Sequence, residues 1–130
     1  ALDTVPSGDT PDVNFSKELP VGIGSGPLLQ IASGGTGGKG LIADTTVLSM
    51  LEAAAKGAGV PSQFTTFTDA TAMHLQRSGI PSGAVTIPRR YSHSPVEMLD
   101  LRDAVAAHDL LKHLIVNMPE KIEWKLPGEM

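Results

Sequence analysis

Gly83-Ala84-Val85-Thr86-Ile87-Pro88, followed directly by Arg89-Arg90-Tyr91-Ser92-His93-Ser94-Pro95-Val96-Glu97-Met98, is the stretch on which the reading of this chain turns. The run Ala84 to Ile87 is mostly apolar rather than alternating, as in a strand covered on both faces. Such strands belong to mostly parallel sheets with helices packed on them. Immediately past the strand the chain becomes charged, aromatic and hydroxyl-bearing, with a histidine in its midst. In open α/β sheets, ligands bind outside the carboxyl ends of strands. This stretch therefore predicts both a fold class and an edge at which to look for a site.

Working outward, Asp44 is a good cap for a helix from Thr45 to about Lys56, with Val47, Met50, Leu51, Ala54 and Ala55 at helical spacing and Gly57 and Gly59 ending it. Gln63-Phe64-Thr65-Thr66-Phe67 reads as a strand, and a short helix over 70–77 is stopped by Gly79 and Pro81. On the other side, Asp100 caps the clearest helix, and Asp103 sits in its first turn, where a carboxylate is favoured. Ala104, Ala107, Leu111, Leu114 and Met118 form its apolar stripe, and Pro119 ends it. Residues 119–130 read as an exposed tail with Trp124 as a candidate contact. Residues 1–40 are loop-rich, with Val21 to Ile23 and Leu28 to Ala32 as short strands. Ala1-Leu2-Asp3-Thr4-Val5 reads like the end of a buried strand, so the chain is expected to be cut from something longer.

The alternation of helix and strand over 41–118 implies right-handed crossovers and an α/β fold. The expected architecture is half of a three-layer sandwich, a mostly parallel sheet with helices on its faces, spanning residues 1–130 as one unit. Three segments would leave strands at the ligand-binding edge: Asp3-Thr4, Thr68-Asp69 and Arg90 to His93.

Composition removes several function classes. An apolar fraction of 41% over 130 residues suffices for one core. Net charge is −4 and the 10 Lys and Arg are spread thinly, which disfavours nucleic acid as a partner. No apolar run approaches the roughly 18 residues of a membrane span. With 0 cysteines, disulfides and thiolate metal sites are excluded, and any metal must be held by His, Asp or Glu. The lack of cysteine fits a cytoplasmic protein.

Some motifs fail on inspection. Gly34-Gly35-Thr36-Gly37-Gly38-Lys39-Gly40 resembles a phosphate loop, but Ser33 occupies the first glycine position and Gly40 the magnesium-binding hydroxyl position. Gly22-Ile23-Gly24-Ser25-Gly26 is a broken dinucleotide fingerprint, because Pro27 prevents the helix that should follow. His108 and His113 are five apart and share no helical face, and they and His74 read as solvated or satisfied histidines. His93 differs, because it stands just past an apolar strand and neutral imidazole is the commonest metal ligand. Glu97 is placed to orient it from outside the metal's own ligands. Asp3, at a strand end, reads either as a turn residue or as a ligand.

Arg90-Tyr91-Ser92-His93-Ser94-Pro95-Val96-Glu97-Met98 resembles the His-Ser…Glu segment of the glutamyl and deblocking aminopeptidases, whose relatives include the tetrahedral (TET) aminopeptidases. Ala1-Leu2-Asp3-Thr4 with Gly8-Asp9-Thr10-Pro11, Gly38-Lys39-Gly40, and Thr68-Asp69-Ala70 with His74 are similar to further segments of that family. The resemblance implies the carboxyl-terminal part of a metallopeptidase catalytic domain. It implies two divalent metal ions, zinc or cobalt, with Asp3 a ligand of one and His93 of the other. Asp69 and Tyr91 fall on the substrate-binding rim. It implies peptide substrates, a large homo-oligomer, and dependence on an upstream half that holds the catalytic Glu and the remaining ligands. No catalytic residue falls in this segment, and the isolated chain is expected to lack activity. Thr66, Phe67 and Thr71 replace small residues usual in the family, which bears on substrate preference. Two rival readings stand beside this one. One is a related metallohydrolase, acting on acylated amino acids or once labelled a glucanase, and glycoside cleavage is disfavoured because no carboxylate pair for it is visible. The other is a non-catalytic assembly domain.

Overall fold

The computed structural model describes residues 1–33, 40–66 and 79–124. The elements in chain order are β1 (Leu2–Pro6), β2 (Leu28–Gln30), β3 (Ala32–Ser33), β4 (Leu41–Ile42), α1 (Thr45–Ala58), β5 (Gln63–Thr65), β6 (Val85–Arg90), β7 (Met98–Leu99) and α2 (Leu101–Val116). The anticipated helix over 70–77 lies outside the described residues, as do Gly34 to Lys39 of the glycine-rich loop.

The main sheet runs β1-β6-β2-β5, with β7 also on β6, and β3 and β4 form a separate two-stranded ribbon. β1 and β6 are parallel, with Asp3 opposite Thr86 and Pro6 opposite Arg89. β2 and β5 are also parallel, joined across α1. The two parallel pairs meet antiparallel at β2 and β6. The reason lies in the connection: residues 7–27 form a long loop rather than a helical crossover, so nothing forces β2 to run with β1. This divides the edge anticipated from the sequence. The carboxyl end of β5 faces the opposite edge from that of β6, and Thr68-Asp69 beyond it lies outside the described residues. The chain also leaves β1 after Pro6, so Asp3 lies within the strand and not at its exit.

Consecutive strand residues point to opposite faces, and the core divides accordingly. Leu29 and Val85 face α1 (Leu51, Ala54, Ala55) and α2 (Ala107, Leu110) in the larger cluster. Leu28 faces the other way and packs with Val5, Val21 and Leu19. Among the described residues both helices therefore lie on one face, and the loop between β1 and β2 covers the other. The third helix anticipated over 70–77 lies outside the described residues, and the sheet with its two packed helices is the expected α/β arrangement. Val21 is buried as expected, but in loop conformation rather than a strand.

Local signals hold at the helix ends. The Asp44 carboxylate accepts from the backbone N–H groups of Thr46 and Val47. Gly59, at φ 66, closes α1 in the left-handed region that glycine enters without strain. Gly57 lies inside the helix instead of ending it. A side chain there would meet the His113 ring, so glycine lets α2 approach. In α2 the buried residues are Asp103, Ala106, Ala107 and Leu110; of the stripe read in the sequence, Ala107 is buried and Leu111 and Leu114 pack half-buried against the same core. Met118 falls beyond the helix, whose last residue is Val116 with Asn117 as its cap, so the helix stops before Pro119. Asp103 is not a solvated first-turn carboxylate. It is buried and accepts from the backbone N–H groups of Gly24 (2.6 Å) and Gly26 (2.9 Å), fastening the loop before β2 to α2.

Candidate metal-ligand edge

The carboxyl end of β6 is where the sequence pointed, and its geometry is set by a reversal. β1 occupies one side of β6 along its length, while β2 pairs with its beginning and β7 with its end, at Arg89–Leu99 and Arg90–Met98. Residues 91–97 thus form a tight turn that doubles back. Ser94 N–H donates to the Tyr91 carbonyl at 3.1 Å. Within the turn Tyr91 (φ 60) and His93 (φ 61) both adopt left-handed backbone. For residues with a Cβ this costs on the order of 1–2 kcal/mol each, so surrounding contacts must hold the conformation.

Two ion pairs provide such contacts. Glu97 pairs with Arg89, and its Oε1 accepts from the His93 backbone N–H at 2.7 Å. The hydrogen bond from Arg89, followed by that from His93, holds the Glu97 carboxyl below its ordinary range. Glu97 therefore reaches His93 through the backbone rather than through the imidazole. On the next residue, Arg90 pairs with Asp9 at 2.6 Å. Burial pushes the Asp9 carboxyl up, but the hydrogen bond and charge of Arg90 outweigh it and leave it below its ordinary value.

Asp9 is brought there by the loop leaving β1. Ser7 N–H donates to the Arg89 carbonyl at 2.8 Å, and Gly8 N–H donates to the Val21 carbonyl at 2.7 Å. A Cβ on Gly8 would lie 1.8 Å from the Leu19 carbonyl oxygen, so only glycine fits. Five of the seven buried side-chain polar atoms that lack a partner among the described residues gather in this region: Ser7 Oγ, Asp9 Oδ1, Arg89 Nε, Arg90 Nε and Ser92 Oγ. Buried polar groups are normally paired, so the edge has hydrogen-bonding capacity beyond what the described residues use.

The predicted site residues are distributed as follows. The ring nitrogens of His93 have no hydrogen-bond partner among the described residues, and the residue is exposed. Asp3 is exposed too, and one carboxylate oxygen accepts from the neighbouring Thr4 N–H at 2.7 Å. No hydrogen bond or ion pair joins Asp3 to His93. Tyr91 stands exposed on the turn. Asp69 lies outside the described residues.

A carboxylate oxygen and an imidazole nitrogen are the donor types that zinc and similar ions take, and both are accessible here. Among the described residues no group of three or more His, Cys, Asp or Glu side chains is placed to hold a metal. Asp3 and His93 therefore fit a metal only as part of a set completed by other donors. The sequence reading missed the roles of Asp9, Arg89 and Arg90. The arginines were visible only as adjacent cations. Asp9 is 81 residues from its partner, and no local spacing reports such a pair.

The family model for M42 glutamyl aminopeptidases matches residues 1–110. A provisionally named aminopeptidase of Acetivibrio thermocellus is 35% identical over 119 residues, covering 88% of this chain and 34% of that protein. An aminopeptidase from the archaeon Desulfurococcus kamchatkensis superposes with a TM-score of 0.78 at 34% identity, over 92% of this chain and 33% of the other. A TET aminopeptidase from a marine-sediment thaumarchaeote gives a TM-score of 0.79 at 29% identity, over 92% of this chain and 33% of the other. The chain spans about a third of the length of the curated relatives it matches. Its sheet, its β6 turn and these matches agree, and the chain belongs to the M42 glutamyl aminopeptidase family.

Proposed function

We propose that this chain forms the carboxyl-terminal part of the catalytic domain of a metal-dependent aminopeptidase, with Asp3 and His93 as two of its metal ligands. The observation that carries the reading is the His93 turn, in a chain of this family. An imidazole without a hydrogen-bond partner among the described residues is held in a left-handed turn at the carboxyl edge of a parallel strand pair. Its backbone is fixed by Glu97, so the ring itself remains available for a ligand. Asp3 offers the second donor as an accessible carboxylate. Two divalent ions, zinc or cobalt, with His93 a ligand of one and Asp3 of the other, would activate water and polarise a peptide carbonyl. The other ligands and the general base would come from the rest of the protein.

Tyr91 and Asp69 fall to the substrate rim in this reading, and the substrates are the amino-terminal residues of peptides. A covering partner is supported by apolar side chains left exposed on α2 (Leu101, Val105, Ile115, Val116) and by Leu2 on β1. The upstream part of the same protein is the proposed cover, and assembly as a cytoplasmic homo-oligomer belongs to the same proposal. No helix among the described residues is long and apolar enough to cross a membrane.

The test uses the complete protein with aminoacyl anilides and short peptides, with and without chelator and added zinc or cobalt. Metal-dependent release of amino-terminal residues is expected. His93→Ala should lower kcat/KM by more than about 100-fold, beyond what loss of a supporting residue around a metal causes. Full activity in His93→Ala would remove the ligand assignment.

A further inference from the structure

Arg89 and Arg90 are consecutive at the end of β6, so their side chains leave opposite faces of the sheet. Each is met by a carboxylate from a different direction. Glu97 comes from the arm returning toward β7, and Asp9 comes from the loop leaving β1. The strand end is thereby gripped from both faces, directly before the two left-handed residues that turn the chain. Backbone pairing with β1 and β7 holds the strand itself, and the two ion pairs on opposite faces add side-chain restraint at the point where the chain turns. Glu97 also holds the His93 amide. No ion pair among the described residues joins Asp9 to His93, and its ion-pair partner is Arg90.

We propose that Asp9, acting through Arg90, is a positioning residue that sets the direction of the His93 turn and so tunes the metal ligand it presents. Three observations support this. The Arg90 guanidinium and the Asp9 carboxylate are both largely shielded, with side-chain exposures of 33% and 26%, so the pair is less screened than a surface contact. Gly8 allows the loop to lie against the Leu19 carbonyl, an approach any side chain would block, and this closeness places Asp9. The unpartnered Asp9 Oδ1, Arg90 Nε and Ser92 Oγ add capacity for ordered water to extend the same network around the turn.

This inference rests on His93 being a metal ligand, and its test separates the two. In the complete protein, cobalt affinity and the visible cobalt spectrum are measured for wild type, His93→Ala, Asp9→Asn and Asp9→Glu, beside thermal melts. Asp9→Asn is expected to weaken one metal by about 10–100-fold, the usual effect of removing a supporting contact, and to shift the spectrum. Asp9→Glu, which keeps the charge, is expected to recover part of both. Asp9→Asn with wild-type affinity and spectrum, while His93→Ala loses a metal, would overturn the positioning role alone. His93→Ala with unchanged metal content would overturn the reading beneath it. If Asp9→Asn does not fold, Arg90→Lys replaces it with the same two outcomes, because it keeps the charge but loses the planar fork.

Discussion

The helix-covered face of the sheet and the carboxyl edge of β1 and β6 are built on different principles. The first is a packed apolar layer in which Leu29, Val85, Leu51, Ala54, Ala55, Ala107 and Leu110 exclude water. Its stability comes from area removed from water and is shared among many contacts. The second is exposed over residues 93–98, beyond the buried Val5 and Pro88. It is held by two ion pairs, backbone bonds to Ser7, Gly8 and His93, and a glycine that admits a carbonyl. The packed face can lose one contact and remain folded. At the edge, each contact fixes one direction, and loss of one is expected to redirect the His93 turn. The fold is thus expected to respond to side-chain volume and the site to side-chain charge and reach.

The largest effect expected on stability is Leu110→Ala, which empties a fully buried position between α2 and the sheet. It should cost about 2–5 kcal/mol in the unfolding free energy of the complete protein. Metal affinity of the folded fraction should be unchanged. A parallel loss of metal affinity would break the separation between the two regions. Asp103→Ala tests the border between them. It removes the acceptor for the Gly24 and Gly26 amides and should cost about 1–3 kcal/mol by denaturant titration. Amide exchange should quicken first over residues 22–26. Uniform quickening across α1 would show that the loop is not a separate unit. The smallest effect concerns Asp100, whose carboxylate caps α2. The hydrogen bond from the Arg102 side chain, then that from its backbone, lowers Asp100 from 3.8 to about 2. A depressed folded-state value means that the contribution is complete above 3.8 and fades as pH falls through about 2. Fraying at the start of α2, followed by NMR, should therefore appear below pH 3.8 and not near neutrality. Fraying that began above pH 5 would point to another group.

The difference between the regions also explains what could be read from the sequence. Asp44 and Asp100 announce helix starts because capping is local, and β6 announced itself by an apolar run. The antiparallel meeting of β2 with β6 was not legible, because it depends on a loop of no regular pattern. The burial of Asp103 was not legible, because the Gly24 and Gly26 amides that draw it inward are far away in sequence. At the edge, His93 was legible by type and by its place after a strand. Its left-handed backbone and the Asp9–Arg90 grip were not, because each depends on partners far apart in sequence.

The most direct test of the account is the metal content of the purified complete protein, wild type beside His93→Ala, Asp3→Ala and Leu110→Ala, all confirmed folded. The account predicts that His93→Ala and Asp3→Ala each bind less metal than wild type, while Leu110→Ala binds as much. Equal metal content in all four would contradict it.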